Sequence, residues 1–503
     1  MEEKVLKEKF VNKDIYGKEY NKTLLISAIM VSSFVTILNQ TLLSTALPQI
    51  MKYFEINAST GQWLTTAFML VNAIMIPLTA LLLEKISTRK LLMFSMLMFG
   101  IGTIICAVSP SFKYLLIGRI VQAVGAGIIA PLANTALLMV FPPEKRGSAM
   151  GIYGLVICFA PAIGPTLSGI IIDIWNWHYL FYMLIPIVAL DIIFTAFFMK
   201  DVIPLKNPKI DFLSIILSTF GFGAMLYGFS SAGNKGWSDI TVITTIILGI
   251  IISASFVWRQ LAMENPMLEI RVFKSSTFTL TTVIGSILNI ASVGAGIVVP
   301  IFLQNILGKS AFTSGVTLLP GALLMAVMML VSGRLFDKYG VKKLAVPGII
   351  LLIIASIPFA SLHRNTSVIF IAMLHSIRCI GIALVIMPMQ TAGVNALPNK
   401  LLAHASAVVN MAKQVAGSLG TAVLITIMSN VTTSNAPDKA LANTNAALYR
   451  LGMLDASLKG ANSTFTFVIA ITVISLIMSL FLKNKKKNRT ITEKGNVEKK
   501  MAI

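Results

Sequence analysis

Fourteen stretches of this chain stay apolar for roughly the twenty residues an α-helix needs to cross a ~30 Å hydrocarbon core. They fall at 23–47, 60–83, 91–109, 114–139, 148–172, 178–199, 210–232, 239–261, 276–303, 311–336, 344–361, 366–389, 402–430 and 464–482. A segment in lipid must satisfy its backbone donors and acceptors within itself, so each stretch is expected to be a helix. A barrel is excluded because the stretches are continuous rather than alternating. The expected fold class is therefore an all-α integral membrane protein with 14 transmembrane helices. Composition agrees: 56% of residues are apolar and 12% charged, with a mean hydropathy of +0.83. So few charges could not cover the surface of a soluble chain of 503 residues.

The charges present are unbalanced, 41 Lys and Arg against 20 acids, a net +21. In a soluble protein that balance would suggest nucleic acid. Here the basic residues are dispersed between the apolar stretches, which argues against a nucleic-acid partner and marks loops at the inner membrane face. An even number of spans puts both termini on one side. Placing them in the cytoplasm gives the internal loops the larger share of Lys and Arg, even with the tails left out. The polar tail 1–22 has no short apolar segment or cleavage site of a signal peptide. The basic tail 483–503 carries Lys485, Lys486 and Lys487, an expected anchor to the inner surface. One external loop, 431–463, is long and rich in Asn, Ala and Thr; the other connections are short.

Cys106, Cys158 and Cys379 lie inside apolar stretches, with no Cys-x-x-Cys pair. His178, His363, His375 and His404 are scattered without metal-ligand spacing. Neither a disulfide framework nor a metal site is expected. No Gly-x-x-x-x-Gly-Lys-Ser/Thr run is present, so an ATP-binding P-loop is not expected.

A weak internal repeat runs at an offset of about 250 to 260 residues. Its clearest element is Gly333-Arg334-Leu335-Phe336-Asp337-Lys338-Tyr339-Gly340-Val341-Lys342-Lys343, between spans ten and eleven. Glycine lets helices approach closely, and a carboxylate can accept from a neighbouring helix N-terminus. A simple topogenic charge cluster would explain the lysines but not the glycine and aspartate spacing. The counterpart in the first half, 81–90, keeps the acid Glu84 and the basic Arg89 and Lys90 but has neither glycine.

Span four contains Arg119-Ile120-Val121-Gln122-Ala123-Val124-Gly125-Ala126-Gly127, followed by Pro131. A charge within a span is a functional-site hypothesis, with outward snorkelling as the alternative. Span twelve repeats the theme with Arg378, Gly381 and Pro388, and His375 precedes Arg378 by one turn. Span five reads Ala160-Pro161-Ala162-Ile163-Gly164-Pro165, where two prolines can bend the helix and small residues permit close packing. In span thirteen, Asn410, Lys413, Gln414, Gly417 and Thr421 fall within about 80° on a helical wheel. Such a stripe should face a cavity or a neighbouring helix rather than lipid. Asp191 is the one carboxylate placed well within a span; it is either a group that titrates there, as a proton carrier would if the chain proves to be an antiporter, or a structural partner of Arg119 or another cation, and His375 is the second titratable candidate. Spans seven and eight carry no recognisable motif.

Together these residues resemble the major facilitator superfamily, in its fourteen-span drug:proton antiporter branch, over about residues 20–485. The 333–343 loop is similar to that superfamily's first signature, Arg119-x-x-Gln122-x-x-Gly125-x-Gly127 to its span-four signature, and Ala160-Pro161-x-x-Gly164-Pro165 to its span-five antiporter signature. Trp177-His178-Tyr179-Leu180-Phe181 followed by Pro186 also fits. Span one carries Asn39-Gln40 where many members of the branch have an aspartate at the first position; the asparagine form is similar to the lincomycin and multidrug exporters of Gram-positive bacteria. Asparagine does not titrate, so a proton-carrying role does not transfer to position 39.

The resemblance implies a six-helix bundle over 23–199, two extra helices within 200–275 and a second six-helix bundle over 276–482. It implies a multidrug exporter in a bacterial plasma membrane, exchanging amphipathic drugs for protons by alternating access, with no cofactor beyond the proton gradient. Its partners would be the drug, the proton and the bilayer, and its implied state is a monomer. Asn39, Gln40, Arg119, Gln122, Arg378, Asn410, Lys413 and Gln414 are the candidate cavity residues. Glu84, Arg89, Gly333, Asp337, Lys338, Gly340, Ala160, Pro161, Gly164 and Pro165 are the candidate conformational switches. An exporter of one physiological cargo, such as a lipid, fatty acid or siderophore, is the alternative, and a non-transporting receptor or scaffold a third. An enzyme is not expected: no nucleophile and base pattern is present.

Overall fold

The computed structural model describes residues 14–206, 211–438 and 440–482. The Lys485–Lys487 cluster and most of both tails lie outside the described residues. Among the described residues the fold is built of helices, and fourteen of them are long and apolar enough to cross a membrane. They are α1 (Lys22–Tyr53), α2 (Ala58–Lys85), α3 (Thr88–Ala107), α4 (Phe112–Val140), α5 (Arg146–Ile174), α6 (Tyr179–Phe198), α7 (Phe212–Lys235), α8 (Ile240–Ala262), α9 (Ser276–Ile301), α10 (Ala311–Tyr339), α11 (Val341–Ser356), α12 (Val368–Asn395), α13 (Leu402–Ser434) and, after the short α14 (Ala440–Thr444), α15 (Ala446–Leu480).

Local sequence explains many of the helix ends. Asn21, Asn57, Ser87, Asp239 and Ser310 stand immediately before helices, and their side chains accept first-turn N–H groups that would otherwise lack partners. Gly340, at φ +80°, ends α10 in a conformation that side chains rarely adopt.

Packing repeats between the halves. In the first, α4 packs on α2 and α3, α1 on α4, α5 and α6, and α3 on α6; in the second, α12 packs on α10 and α11, α9 on α12, α13 and α15, and α11 on α15. Glycine permits the close α3–α4 crossing: a Cβ at Gly118 would stand 2.6 Å from Cys106 Sγ and 2.9 Å from the Gly102 carbonyl. The halves meet through α5 against α10 and α2 against α13. The α7–α8 hairpin rests on that second seam, with α7 touching both α2 and α13. Ile240, Leu248, Ile251 and Trp258 on α8 face outward, as lipid contact requires.

One expectation is corrected. The segment 431–463 is mostly helical: α13 runs to Ser434, and α15 begins at Ala446 and continues unbroken into the last span. Asn445 caps the extension, Asp455 pairs with Arg364 at 2.6 Å, and Asn462 bonds Leu362 in both directions. Low hydropathy made the segment read as a loop, but a helix held by polar side chains needs no apolar run.

Candidate functional site

Two polar clasps join the halves at the end of the bundle where the first helix begins and the last one finishes. In one, Asp337 at the foot of α10 meets the N-terminus of α5. Its Oδ1 accepts the Gly147 N–H at 2.8 Å; its Oδ2 accepts the Ser148 N–H at 2.8 Å and the Ser148 hydroxyl at 2.5 Å. A carboxylate at a helix N-terminus is favoured by the helix dipole and satisfies two exposed donors. Glycine makes the approach possible: a Cβ on Gly147 would stand 2.6 Å from the Gly333 carbonyl. Arg146 adds hydrogen bonds to Asn395 Oδ1 at 2.9 Å and Asn399 Oδ1 at 3.0 Å.

In the other clasp, Glu84 at the foot of α2 accepts from Lys206 and from His404 Nε2 at 3.2 Å, at the start of α13. His404 Nδ1 in turn accepts the Glu269 N–H at 3.3 Å. With Nδ1 accepting, the ring carries its proton on Nε2, facing Glu84. The other loop residues expected to act as switches stay within their own half. The Arg89 N–H donates to Asp201 Oδ1 at 2.9 Å and its guanidinium reaches the Ala196 carbonyl, which ties α3 to α6. The Lys338 ammonium lies 5.1 Å from the centre of the Tyr339 ring.

Further from the clasps lies a cavity of about 430 Å³. Gln62, Thr65 and Met69 of α2, Leu226 and Phe229 of α7, Asn289 and Ile297 of α9, and Lys413, Gln414, Gly417 and Thr421 of α13 are among its lining residues. Most of the expected span-thirteen stripe therefore faces open space. Asn410 does not; it bonds the Ser406 carbonyl of its own helix at 2.8 Å. The Lys413 ammonium donates to Gln390 Oε1 at 2.5 Å, and Asn289 Nδ2 donates to the Lys413 carbonyl at 2.9 Å. A smaller cavity of about 130 Å³ in the first half is lined by Ser33, Thr36 and Gln40 of α1, Phe68 and Asn72 of α2, and Tyr153 of α5, among others.

Arg119, Gln122 and Asn39 come together, but behind Phe68 rather than on either cavity wall. Arg119 Nη1 donates to Gln122 Oε1 at 2.8 Å, the Asn39 amide donates to the same oxygen at 3.2 Å, and Gln122 Nε2 donates to Thr103 Oγ1 at 2.8 Å. The guanidinium lies 4.1 Å from the Phe68 ring centre. Arg378 is placed similarly in the second half: Nε donates to Ser356 Oγ at 2.9 Å, Nη2 to the Ala291 carbonyl at 3.2 Å, and the group lies 5.5 and 5.3 Å from the Phe359 and Phe465 rings. Both arginines are buried and hydrogen-bonded, not snorkelled outward.

Asp191 is not paired with Arg119. It is buried between α6 and α1, with Oδ2 2.5 Å from Ser32 Oγ, and lines neither cavity. His375 is also away from both cavities, 3.5 Å from Cys379 Sγ and packed beside Gly321 of α10. The span-five motif packs α5 on α1: Ala160 and Gly164 are buried, Gly164 against Thr41, while Pro161 and Pro165 are exposed on an unbroken helix.

Sequence reasoning missed His404, Asn289 and the α7 wall. His404 sits four places before Val408 in an apolar stretch, and only its meeting with Glu84 across the halves gives it meaning. No local signal marks α7, whose part comes from where the hairpin docks.

Paired helical bundles, clasped to each other at one end and enclosing polar and apolar cavities, define a multi-pass membrane transporter. A family model for the Major Facilitator Superfamily matches residues 29–421, and the chain belongs to that family. It is 43% identical over 477 residues to the MFS-type transporter YcnB of Bacillus subtilis (strain 168), covering 95% of this chain and 98% of that one. It is 41% identical over 470 residues to the lincomycin resistance protein LmrB of Listeria innocua, covering 93% and 98%. Among solved structures, the human organic anion transporter MFSD10 shares the fold, with a TM-score of 0.65 at 13% identity, covering 91% of this chain and 99% of that one.

Proposed function

We propose that this transporter exports amphipathic drugs from a bacterial cell in exchange for protons, by alternating access between its two bundles. The observation that carries the reading is the 430 Å³ cavity, with hydrocarbon from Met69, Leu226, Phe229 and Ile297 beside a few amides and hydroxyls, in a chain 41% identical to a lincomycin resistance protein. That volume lies in the range of small-molecule sites, and mixed walls of this kind suit amphipathic cargo. With both termini in the cytoplasm of a plasma membrane, as the Lys and Arg bias supports, the two clasps would lie on the inner side, and this arrangement would be the one closed to the cell interior. Rocking one bundle against the other would release the clasps and present the cavity inward.

Asp191 and His375 are the buried titratable candidates for the proton. Neither touches the cavity, so each would act through the helices it joins: α6 with α1, and α12 with α10. Everted membrane vesicles given an imposed proton gradient and a drug panel that includes a lincosamide provide the test. Gradient-dependent accumulation of several drugs is expected. Accumulation of a single lipid, fatty acid or siderophore and no drug would replace this reading with the single-cargo one. For Asp191→Asn, a drop of about tenfold or more in gradient-driven accumulation at normal expression is expected of a proton-coupling group; unchanged accumulation assigns it a packing role.

A further inference from the structure

The larger cavity has one ionisable side chain on its wall, Lys413. Four helices, α2, α7, α9 and α13, build that wall. The sequences of α7, α9 and α13 contain no Asp or Glu, and the single one in α2 is Glu84, held at the helix foot by His404 and Lys206. Charged groups of the neighbouring helices face elsewhere. On α4, Arg119 is turned to Gln122 and the Leu64 carbonyl; on α12, Arg378 is bonded to Ser356 and Ala291; on α15, Asp455 pairs with Arg364. The Lys413 ammonium can donate three hydrogen bonds, and the structure gives it one acceptor, the uncharged Gln390 Oε1 at 2.5 Å. The position of this charge is as telling as its isolation. α13 starts at the His404 clasp, Lys413 is its lining residue nearest that clasp, and Ile425 lies about 18 Å further along the helix. Asn289 is the first lining residue of α9, and its amide donates to the Lys413 carbonyl at 2.9 Å. Val293 and Ile297 follow along α9. The cavity therefore has a charged, amide-bearing end toward the clasps, and beyond it hydrocarbon interrupted by hydroxyls such as Thr421.

We propose that this cavity takes an amphiphile whose head carries a single negative charge, and that Lys413 is the residue that selects it. This rests on the reading above that the cavity holds cargo, and it names the charge of that cargo. An ammonium withdrawn from bulk water is stabilised by an opposite charge and by acceptors for all its N–H groups. A carboxylate at the Lys413 end accepts the two remaining N–H groups, and the Gln414 amide on the same wall offers a further donor. A cationic head there meets a like charge with no acid to offset it, and like charges in a site of low polarity repel strongly. A dianion such as a phosphate monoester brings a second charge for which the wall has no partner. The apolar body of the molecule lies along Val293, Ile297 and Phe229. Binding moves no proton and breaks no covalent bond.

The test uses the full-length protein in nanodiscs and three probes that share one aromatic body: naphthaleneacetate, its neutral amide, and the naphthylmethyl-trimethylammonium cation. Empty nanodiscs give the lipid background. At neutral pH the carboxylate should bind about tenfold or more tighter than the amide, the gain of charge-assisted over neutral hydrogen bonds. The cation should bind more weakly than the amide. Lys413→Met should lower the carboxylate's affinity to that of the amide and leave the amide's own affinity nearly unchanged. Lys413→Arg keeps the charge and should keep the preference for the carboxylate. Each variant is compared after matching its melting temperature and elution volume to the unaltered protein. The three-probe comparison on the unaltered protein needs no variant.

Equal binding of carboxylate and amide, tighter binding of the cation, or a carboxylate preference that survives Lys413→Met or vanishes in Lys413→Arg would each overturn the proposal. So would carboxylate binding that does not saturate above the lipid background. If vesicles accumulate drugs under a proton gradient while probe affinity ignores the charge of the head, the export reading stands and this inference falls. If the protein selects the carboxylate through Lys413 but vesicles accumulate nothing, the export reading is the one that fails.

Discussion

The two clasps stand at corresponding places in the repeat and close by different chemistry. Asp337 is held by the backbone and hydroxyl at the start of α5, whereas Glu84 is held by the side chains of His404 and Lys206. Four residues before each acid lies the reason: Gly333 precedes Asp337, and Ala80 precedes Glu84. With glycine there, α10 comes close enough to α5 for its carboxylate to touch main-chain donors. At Glu84 the carboxylate instead reaches the longer side chains of its partners. The repeat has kept an acid at both sites, but the geometry around each acid decides what it grips.

The largest effect should come from removing the close approach. Gly333→Leu places a branched side chain where the structure has the Gly147 backbone, and no rotamer avoids it. Drug accumulation in vesicles should fall to background while the protein still inserts and purifies; retained transport would show that the seam can open without harm. Next is Asp337→Ala, which removes three hydrogen bonds from a helix N-terminus. At about 1 kcal/mol each, that shifts the balance between closed and open forms by about a hundredfold. Spin-label distances across the clasped end should lengthen, and unchanged distances would reduce the clasp to a bystander. Glu84→Gln removes a charge but leaves a hydrogen-bonding amide, so the same distances should shift by about tenfold or less in population. If Glu84→Gln proves the more damaging, the ranking of backbone over side-chain grip is wrong.

The smallest effect belongs to a pair outside both clasps, which serves as the control. Arg259, bonding Asp211 at 2.8 and 3.0 Å, holds that carboxyl down at about 2, below the ordinary carboxylate range, and Ser214 adds to the effect. The folded value is lower than the unfolded one. Its stabilisation is therefore complete above the ordinary carboxylate range and is lost as pH falls from about 4 toward 2. The melting temperature of Asp211→Asn should lie slightly below that of the unaltered protein by a constant margin from pH 8 to 5, and the two should converge in acid. Transport should not change. A transport defect in this variant would mean the α7–α8 hairpin does more than close the cavity wall.

The fourteen spans could be read from the sequence because lipid imposes a length and a polarity on every crossing, and both are local properties. The Asp337 loop was readable for a similar reason: its glycines and acid lie within one short stretch. The large cavity was readable in part. Lys413, Gln414, Gly417 and Thr421 share one helical face, and their polarity in a span implies something other than lipid. What the sequence did not disclose depends on distant parts meeting. His404 gains its role from Glu84, 320 positions earlier in the numbering. Leu226 and Phe229 line the cavity because of where their hairpin docks, and nothing in their own stretch says so. The segment 446–463 was misread because its helix is stabilised by polar contacts and a cap, which hydropathy does not weigh.

The glycine seam between α5 and α10 carries one more implication. Gly147 and Gly151 on α5 and Gly333 on α10 press main chain against main chain. Most helix pairs mesh like gears, each bulky group seated between its opposite neighbours, and such a pair cannot turn without every tooth climbing out of its slot. Smooth surfaces have no teeth. If the bundles rock as proposed, a small tilt here would slide one cylinder over the other, opposed chiefly by the Asp337 latch and the Arg146 bonds to Asn395 and Asn399, so the seam would serve as a bearing whose latch sets how often it turns.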